Sequence, residues 1–259
     1  MLIDTHCHLD FDVFSDDRAA IIAQAEAIGI KYLVIPGVTV NNWQPIQALC
    51  RQYPLQLLPA LGLHPCFWQQ HQEQHLSLLE QALTANNPVA VGEIGLDFFI
   101  ENPNENWQLQ LFREQVRLAK QHKLPIIVHC RKAHDQCFKI LRELAFQEGG
   151  FMHAFSGSLQ QAKRFVELGF KLGIGGAATY ERAHKLHRIL KTLPLDSFVL
   201  ETDAPDIPPC FARNEVNTPL NLPKIAQVIC ERTAIDESEL MAVTSAAALT
   251  VLAIPEQVR

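Results

Sequence analysis

Short apolar segments alternate with longer amphipathic segments along most of the chain. The apolar segments are continuous rather than alternating in polarity, which is typical of parallel strands buried on both faces. The pattern predicts eight strands, at Leu2–Thr5, Tyr32–Pro36, Leu55–Leu61, Val89–Gly92, Ile126–His129, Phe151–Phe155, Phe170–Ile174 and Phe198–Leu200.

The segments between the predicted strands carry apolar residues at helical spacing. They predict helices at Asp16–Ala27, Asn42–Arg51, Leu76–Ala85, Trp107–His122, Ala133–Phe146, Leu159–Leu168, Tyr180–Thr192, Leu222–Arg232 and Glu237–Leu249. Strands that alternate with helices indicate an α/β protein, and we predict a TIM-type (β/α)8 barrel. An open doubly wound sheet is the alternative, but no GxGxxG motif of a dinucleotide-binding sheet follows a strand. A length of 259 residues fits one barrel, so we predict a single domain over residues 1–259.

Composition and charge narrow the class of protein. The net charge of −6 argues against a general nucleic-acid binder coated in lysine, although an enzyme can hold a few phosphates with metal ions and arginine. Seven cysteines without a CxxC pair are typical of reduced thiols, so we expect a cytoplasmic location. We expect no membrane span and no signal peptide, because no apolar run reaches membrane length and no basic segment opens the chain. A monomer without an obligate protein partner is the expected state.

Residues that commonly bind metals lie where the predicted strands end. His6 and His8 close the first strand, and residues two apart on a strand face the same side, so both imidazoles can meet one cation. Glu93 follows the fourth strand between glycines, and a buried glutamate is rare unless it is paired or bound to a metal. His129 ends the fifth strand, and His153 lies in the sixth.

Three further residues add to this pattern. Arg131 lies two positions after His129 and offers a planar set of donors suited to phosphate oxygens. Asp203, after the last strand, can bind a metal and also orient or deprotonate an attacking water. Glu201 shares a face with Asp203 and is a candidate for holding a ligand histidine in place.

The common position of these residues carries the functional hypothesis. Each residue alone has an ordinary structural explanation, as a solvated turn or a satisfied core histidine. Barrel enzymes, however, build their sites at the carboxyl ends of the strands, where all of these residues are predicted to lie. The other histidines fall in helices or loops and receive no role: His71, His75, His122, His134, His184 and His187.

Six motifs, in order along the chain, resemble those of the TatD-type metal-dependent deoxyribonucleases, which belong to the amidohydrolase-like metallohydrolase barrels. The chain is most similar to the YjjV-like branch of that family. The motifs are Asp4-Thr5-His6-Cys7-His8-Leu9, Gly62-Leu63-His64-Pro65, Gly92-Glu93-Ile94-Gly95-Leu96-Asp97, His129-x-Arg131, His153-Ala154-Phe155-Ser156-Gly157 and Glu201-Thr202-Asp203-Ala204-Pro205.

The resemblance implies phosphodiester hydrolysis on DNA by a metal-activated water, with two divalent ions per chain. It implies that His6, His8 and Asp203 hold one ion, that His129 and His153 hold the other, and that Glu93 bridges them. Asp203 and Glu93 are thus the expected catalytic residues, and His64 and Arg131 the expected substrate contacts. The metal is left open among zinc, manganese and magnesium, although imidazoles suit magnesium least. Cys66 and Asp206 depart from the common family pattern and leave substrate preference open.

Alternative functions remain. The same metal ligands suit an amidohydrolase that cleaves the C–N bond of a cyclic amide, but many such enzymes bridge their ions with a modified lysine where Glu93 stands here. A hydrolase of RNA or of another phosphate ester also fits. A non-catalytic metal-binding barrel would be expected to lack a ligand or a base, and none is missing.

Overall fold

A computed structural model describes residues 1–254. Every predicted strand is present within them, and most bounds move by only one or two residues. The strands are β1 (Leu2–Asp4), β2 (Ile30–Pro36), β3 (Leu57–Leu61), β4 (Ala90–Asp97), β5 (Ile126–Arg131), β6 (Gly150–Met152), β7 (Phe170–Ile174) and β8 (Phe198–Leu200).

Each predicted helix is also present. The largest shift is in α7, which begins at His184 rather than Tyr180 because the chain bends and turns at residues 180–182, after the 3-10 turn of Gly176–Thr179. Within residues 1–254, no helix combines the length and the apolar character needed to cross a bilayer. The helices are α1 (Arg18–Ala27), α2 (Val40–Gln52), α3 (Gln74–Asn86), α4 (Glu105–His122), α5 (His134–Glu143), α6 (Leu159–Glu167), α7 (His184–Thr192), α8 (Leu222–Thr233) and α9 (Glu237–Val251).

The strands form one parallel sheet in the order β1 to β8, which confirms the predicted (β/α)8 barrel. The seam between β1 and β8 closes through Asp4, whose carboxylate accepts bonds from the Thr202 hydroxyl at 2.5 Å and the Thr202 amide at 3.0 Å. The Thr5 amide also donates to the Leu200 carbonyl at 3.1 Å.

The prediction of a single domain extends to residue 259, and its last five residues lie outside the described part.

Alternate strand residues pack into two apolar layers. Leu33 and Ile35 face the layer between the barrel and the helices, whereas Tyr32 and Val34 face the barrel interior. Ala248 of α9 and Leu252, just after the helix, pack against that interior layer. Apolar side chains therefore fill the barrel, and the polar residues at the carboxyl ends of the strands form its mouth.

Two strand ends differ from the prediction by more than two residues. β4 continues past Gly92 to Asp97, so Glu93 lies inside the strand, and the register with β5 shifts between Val91 and Ile94. β6 ends at Met152, so His153 lies just beyond the strand rather than within it. Both changes keep the predicted ligand side chains at the mouth.

Candidate metal centre

The six predicted metal ligands converge at the mouth of the barrel. Five of them line one cavity of about 570 Å³, and His6 lies fully buried against them. They come from five different strands or strand ends: His6 and His8 after β1, Glu93 in β4, His129 in β5, His153 after β6 and Asp203 after β8.

One group of donor atoms spans the seam between β1 and β8. The Nε2 atoms of His6 and His8 lie 3.2 Å apart. Asp203 Oδ1 lies 3.7 Å from Nε2 of His6 and 4.0 Å from Nε2 of His8. The three residues therefore present two nitrogens and one oxygen to a common point.

Glu93 lies between this group and a second one. Its Oε2 lies 3.1 Å from His6 Nε2 and 3.6 Å from His8 Nε2. Its Oε1 lies 3.1 Å from His129 Nδ1 and 3.9 Å from His153 Nε2. Because the two oxygens face different groups of imidazoles, the carboxylate has the placement that a bridging ligand requires.

His153 completes the arrangement. Its ring stacks on that of His6 with centroids 3.5 Å apart, and its Nε2 lies 3.3 Å from Asp203 Oδ1. The donors of His6, Glu93 and His153 all lie within 4.8 Å of one another, as do those of His6, His8 and Asp203. Metal–nitrogen bonds of about 2.0–2.1 Å place the ligands of one ion at similar mutual distances. The residues therefore fit divalent cations in both chemistry and spacing.

The charges of these groups depend on their neighbours. Burial alone would raise the pKa of Glu93, but the imidazoles of His64, His6 and His153 lower that pKa well below its ordinary value. The pKa of Asp203 is lowered in the same way, mainly by His153 against the effect of burial. Both carboxylates are therefore ionised at neutral pH, as metal ligands must be.

Asp97 supports His129 and was missed as a site residue. Its Oδ2 lies 2.9 Å from His129 Nε2, and its Oδ1 accepts a bond of 2.8 Å from the Phe99 amide. Carboxylates that hold the second nitrogen of a ligand histidine fix its orientation. The signal in the sequence was a second acid four positions after Glu93, at the end of the same strand.

Glu201 reaches His153 from the far side. Its Oε1 accepts a bond of 2.6 Å from the Ala154 amide and lies 3.2 Å from His153 Nδ1. The second contact has the distance of an ion pair but not the alignment of a hydrogen bond. Gly173 leaves room for the carboxylate, because a Cβ there would lie 2.2 Å from Glu201 Oε2. This position is the one predicted for a residue that holds a ligand histidine.

Glu201→Gln is expected to weaken metal binding by about 10–100-fold, because an amide no longer offers a charged partner to His153. Titration of metal-stripped protein with zinc or manganese against a chromogenic chelator measures this effect. Glu215→Gln, the same change at an exposed position, should leave the affinity unaltered. Equal affinities for the wild type and Glu201→Gln would remove Glu201 from the site.

The two predicted substrate residues lie in different places. His64 is buried, with its Nε2 3.1 Å from Glu93 Oε1, as close to that oxygen as His129. Its turn is supported by His71, whose Nε2 lies 2.8 Å from the His64 carbonyl oxygen. Arg131 is exposed at the rim of the cavity. His64 is thus placed among the metal donors, and Arg131 is placed where a substrate would enter.

Three cysteines lie next to these residues in sequence, and Cys66 is the one exposed at the site. Cys7 and Cys130 are buried in the apolar layer between the barrel and the helices, as the alternation of strand residues predicts, and Cys130 also borders the cavity. Cys66 is exposed at the cavity, with its Sγ 3.4 Å from Asp97 Oδ2. The departure from the family pattern at Cys66 therefore lies beside the pocket itself.

Comparisons with known proteins agree with this geometry. A sequence model described as TatD related DNase matches residues 3–253. The chain is 43% identical to the uncharacterized metal-dependent hydrolase YjjV of Escherichia coli (strain K12), over 88% of this chain and 89% of that protein. It is 31% identical to the 3'-5' ssDNA/RNA exonuclease TatD of Salmonella typhimurium, over 98% of this chain and 99% of that protein.

A solved structure shows the same fold. The crystal structure of YjjV, a TatD homologue from Escherichia coli K12, superposes with a TM-score of 0.93 at 40% sequence identity. The match covers 98% of both chains. The predicted similarity to the YjjV-like branch is therefore confirmed.

Proposed function

The chain belongs to the TatD related DNase family of metal-dependent hydrolases, and on that basis we propose that it is a deoxyribonuclease that hydrolyses phosphodiester bonds with the help of two divalent ions. The observation that carries the proposal is the position of Glu93. Its two carboxylate oxygens face separate groups of imidazoles at the mouth of the barrel. Divalent ions held by these two groups of residues would suit displacement at a phosphorus atom.

The position of each residue determines the role that we assign to it in the reaction. Bound divalent ions would supply Lewis acidity and leave a positive surplus over the two carboxylates, which favours an anionic substrate. Glu93 is almost fully buried, with 2% of its side chain exposed, and serves only as a ligand. The Asp203 side chain is 12% exposed and borders the cavity, so it is the carboxylate that can accept a proton from the attacking water. Arg131, at the rim, would hold phosphoryl oxygens.

The substrate class is supported by a relative. The Salmonella typhimurium protein is named as an exonuclease of single-stranded DNA and RNA, and we extend single-stranded nucleic acid to this chain as a proposal. Zinc or manganese is the proposed metal, because imidazoles dominate the donor set. We propose a monomer, since all donors come from one chain. A cytoplasmic location remains a proposal too, motivated by seven unpaired thiols.

Metal analysis combined with substrate digestion tests this function. We expect close to two divalent ions per chain, and hydrolysis of end-labelled single-stranded oligonucleotides and of bis(p-nitrophenyl) phosphate when zinc or manganese is supplied. Parallel reactions with duplex DNA, RNA and a panel of cyclic amides define the substrate. Hydrolysis confined to the amides would overturn the proposal in favour of an amidohydrolase.

A further inference from the structure

A second cavity, of about 610 Å³, opens from the rim of the metal centre and shares Arg131 and Ser156 with it. Its walls carry three exposed cations, Arg131, Lys132 and Lys185. The ammonium of Lys185 donates to the Ser156 carbonyl, which places this positive charge at the junction of the two cavities. We call this cavity the cationic groove.

Few negative charges oppose these cations. The acid that lines the cationic groove is Asp135, which is already paired with Arg164 at 3.0 Å. The groove therefore offers a positive surface that is continuous with the cavity in which the reaction is proposed to occur.

An aromatic ring lies beside these charges. The Phe99 side chain is 55% exposed, and the Arg131 guanidinium carbon lies 3.9 Å from the centre of its ring. The same loop is anchored to the metal centre, because Asp97 accepts a bond from the Phe99 amide and also contacts His129. Cations for phosphates beside an exposed aromatic ring for bases are the features shared by sites for single-stranded nucleic acid.

The opposite side of the mouth has a different character. A cavity of about 700 Å³ there shares Phe11 and Phe67 with the metal centre, and its described lining includes Asp10 and Asp12 but neither lysine nor arginine. The guanidinium of the nearby Arg18 donates hydrogen bonds to the backbone carbonyls of residues 9, 10 and 11 and does not line this cavity. The charge distribution therefore favours phosphates on one side of the mouth only.

We propose that the retained part of a single-stranded nucleic acid lies in the cationic groove, with phosphates against Lys132 and Lys185 and a base stacked on Phe99. The acidic side of the mouth then receives the short fragment that is released. This proposal rests on the proposed nuclease function and adds the path that the strand follows.

Removing the groove's two lysines tests the path. The double variant Lys132→Gln/Lys185→Gln is compared with Lys123→Gln/Lys191→Gln, which makes the same change in net charge at the carboxyl ends of α4 and α7, away from the mouth. Each protein is assayed on a single-stranded DNA 12-mer and on bis(p-nitrophenyl) phosphate, which is too small to occupy the groove. Phe99→Leu, which keeps an apolar residue without a ring, is assayed in the same way.

We expect the KM for the 12-mer to rise about tenfold in the groove double variant. The dependence of log(kcat/KM) on log salt should become less steep by about 1.4, since each lost phosphate contact on a single strand removes about 0.7. Phe99→Leu should raise the same KM about fivefold or more, through lost base stacking. Activity on bis(p-nitrophenyl) phosphate should stay at the wild-type level in all variants.

Several results would overturn the path. They are an unchanged KM for the 12-mer in the groove double variant, an equal loss in the control double variant, or a parallel loss on bis(p-nitrophenyl) phosphate. A wild-type protein that cleaves bis(p-nitrophenyl) phosphate but no oligonucleotide would instead refute the nuclease function, and the strand path with it. Cleavage of the 12-mer with normal KM in the groove variants refutes the path alone.

Discussion

Glu93→Gln is expected to lower kcat/KM for a single-stranded oligonucleotide by about 10³-fold or more, at or above the upper end of the loss typical of a single stabilising group. The glutamine keeps the size of the side chain but turns one of its two oxygens into an NH2 group. That group would face either His6 or His129, so one of the two donor groups loses its carboxylate oxygen. The metal content should fall by about one ion per chain, which elemental analysis of the purified variant measures.

Glu101→Gln provides the matched control for this prediction. Glu101 is exposed in the loop that follows β4, so the same chemical change there should leave activity and metal content at wild-type levels. A Glu93→Gln protein that retains both full metal content and full activity would contradict the bridging role. A melting curve for each variant separates loss of the site from loss of the fold.

Gly95→Ala is expected to lower the free energy of unfolding by about 4 kcal/mol or more, a large part of the roughly 5–15 kcal/mol that stabilises a typical protein. Gly95 has a φ of +140°, and a Cβ there would lie 2.0 Å from the His129 carbonyl oxygen. The backbone conformation costs about 1–3 kcal/mol for alanine, and the contact adds about 1–3 kcal/mol or more as β4 and β5 are forced apart. Urea unfolding, or the soluble yield if no folded protein is recovered, measures the effect.

Gly29→Ala separates these two causes. Gly29 also has a positive φ, of +87°, but no atom lies within 4 Å of the Cβ that alanine would add. Gly29→Ala should therefore lower the free energy of unfolding by only about 1–2 kcal/mol, which is the cost of the backbone conformation alone. Equal losses for the two variants would show that close approach of β4 to His129 is not what requires Gly95.

The barrel fold and the location of its site could be predicted from the local pattern of apolar residues in the sequence. Continuous apolar runs such as Ile126–Val128 and Phe198–Leu200 have few structures open to them besides buried parallel strands, and all eight predicted strands are confirmed. Because the carboxyl ends of parallel strands meet at one face, residues such as His6 and Asp203 were predicted to meet without any knowledge of their distances. Their placement agrees with that prediction, while their roles as ligands stay predictions.

The remaining features depend on contacts that no local pattern contains. β4 was predicted to end at Gly92, yet its register with β5 shifts between Val91 and Ile94 and the strand continues through Gly95 to Asp97. Asp4 holds Thr202, a partner 198 positions away, and only the closure of the barrel brings them together. Lys185 reaches the cationic groove because α7 lies beside the loop that follows β6, where its ammonium donates to the Ser156 carbonyl.

The seam held by Asp4 and Thr202 has a consequence for how the protein is made. His6 and His8 leave the ribosome about 195 residues before Asp203, their neighbour across the seam. A nascent or prematurely terminated chain that lacks β8 therefore has an incomplete donor set. The proposed activity would therefore require translation to pass β8 and Asp203 before the site can form.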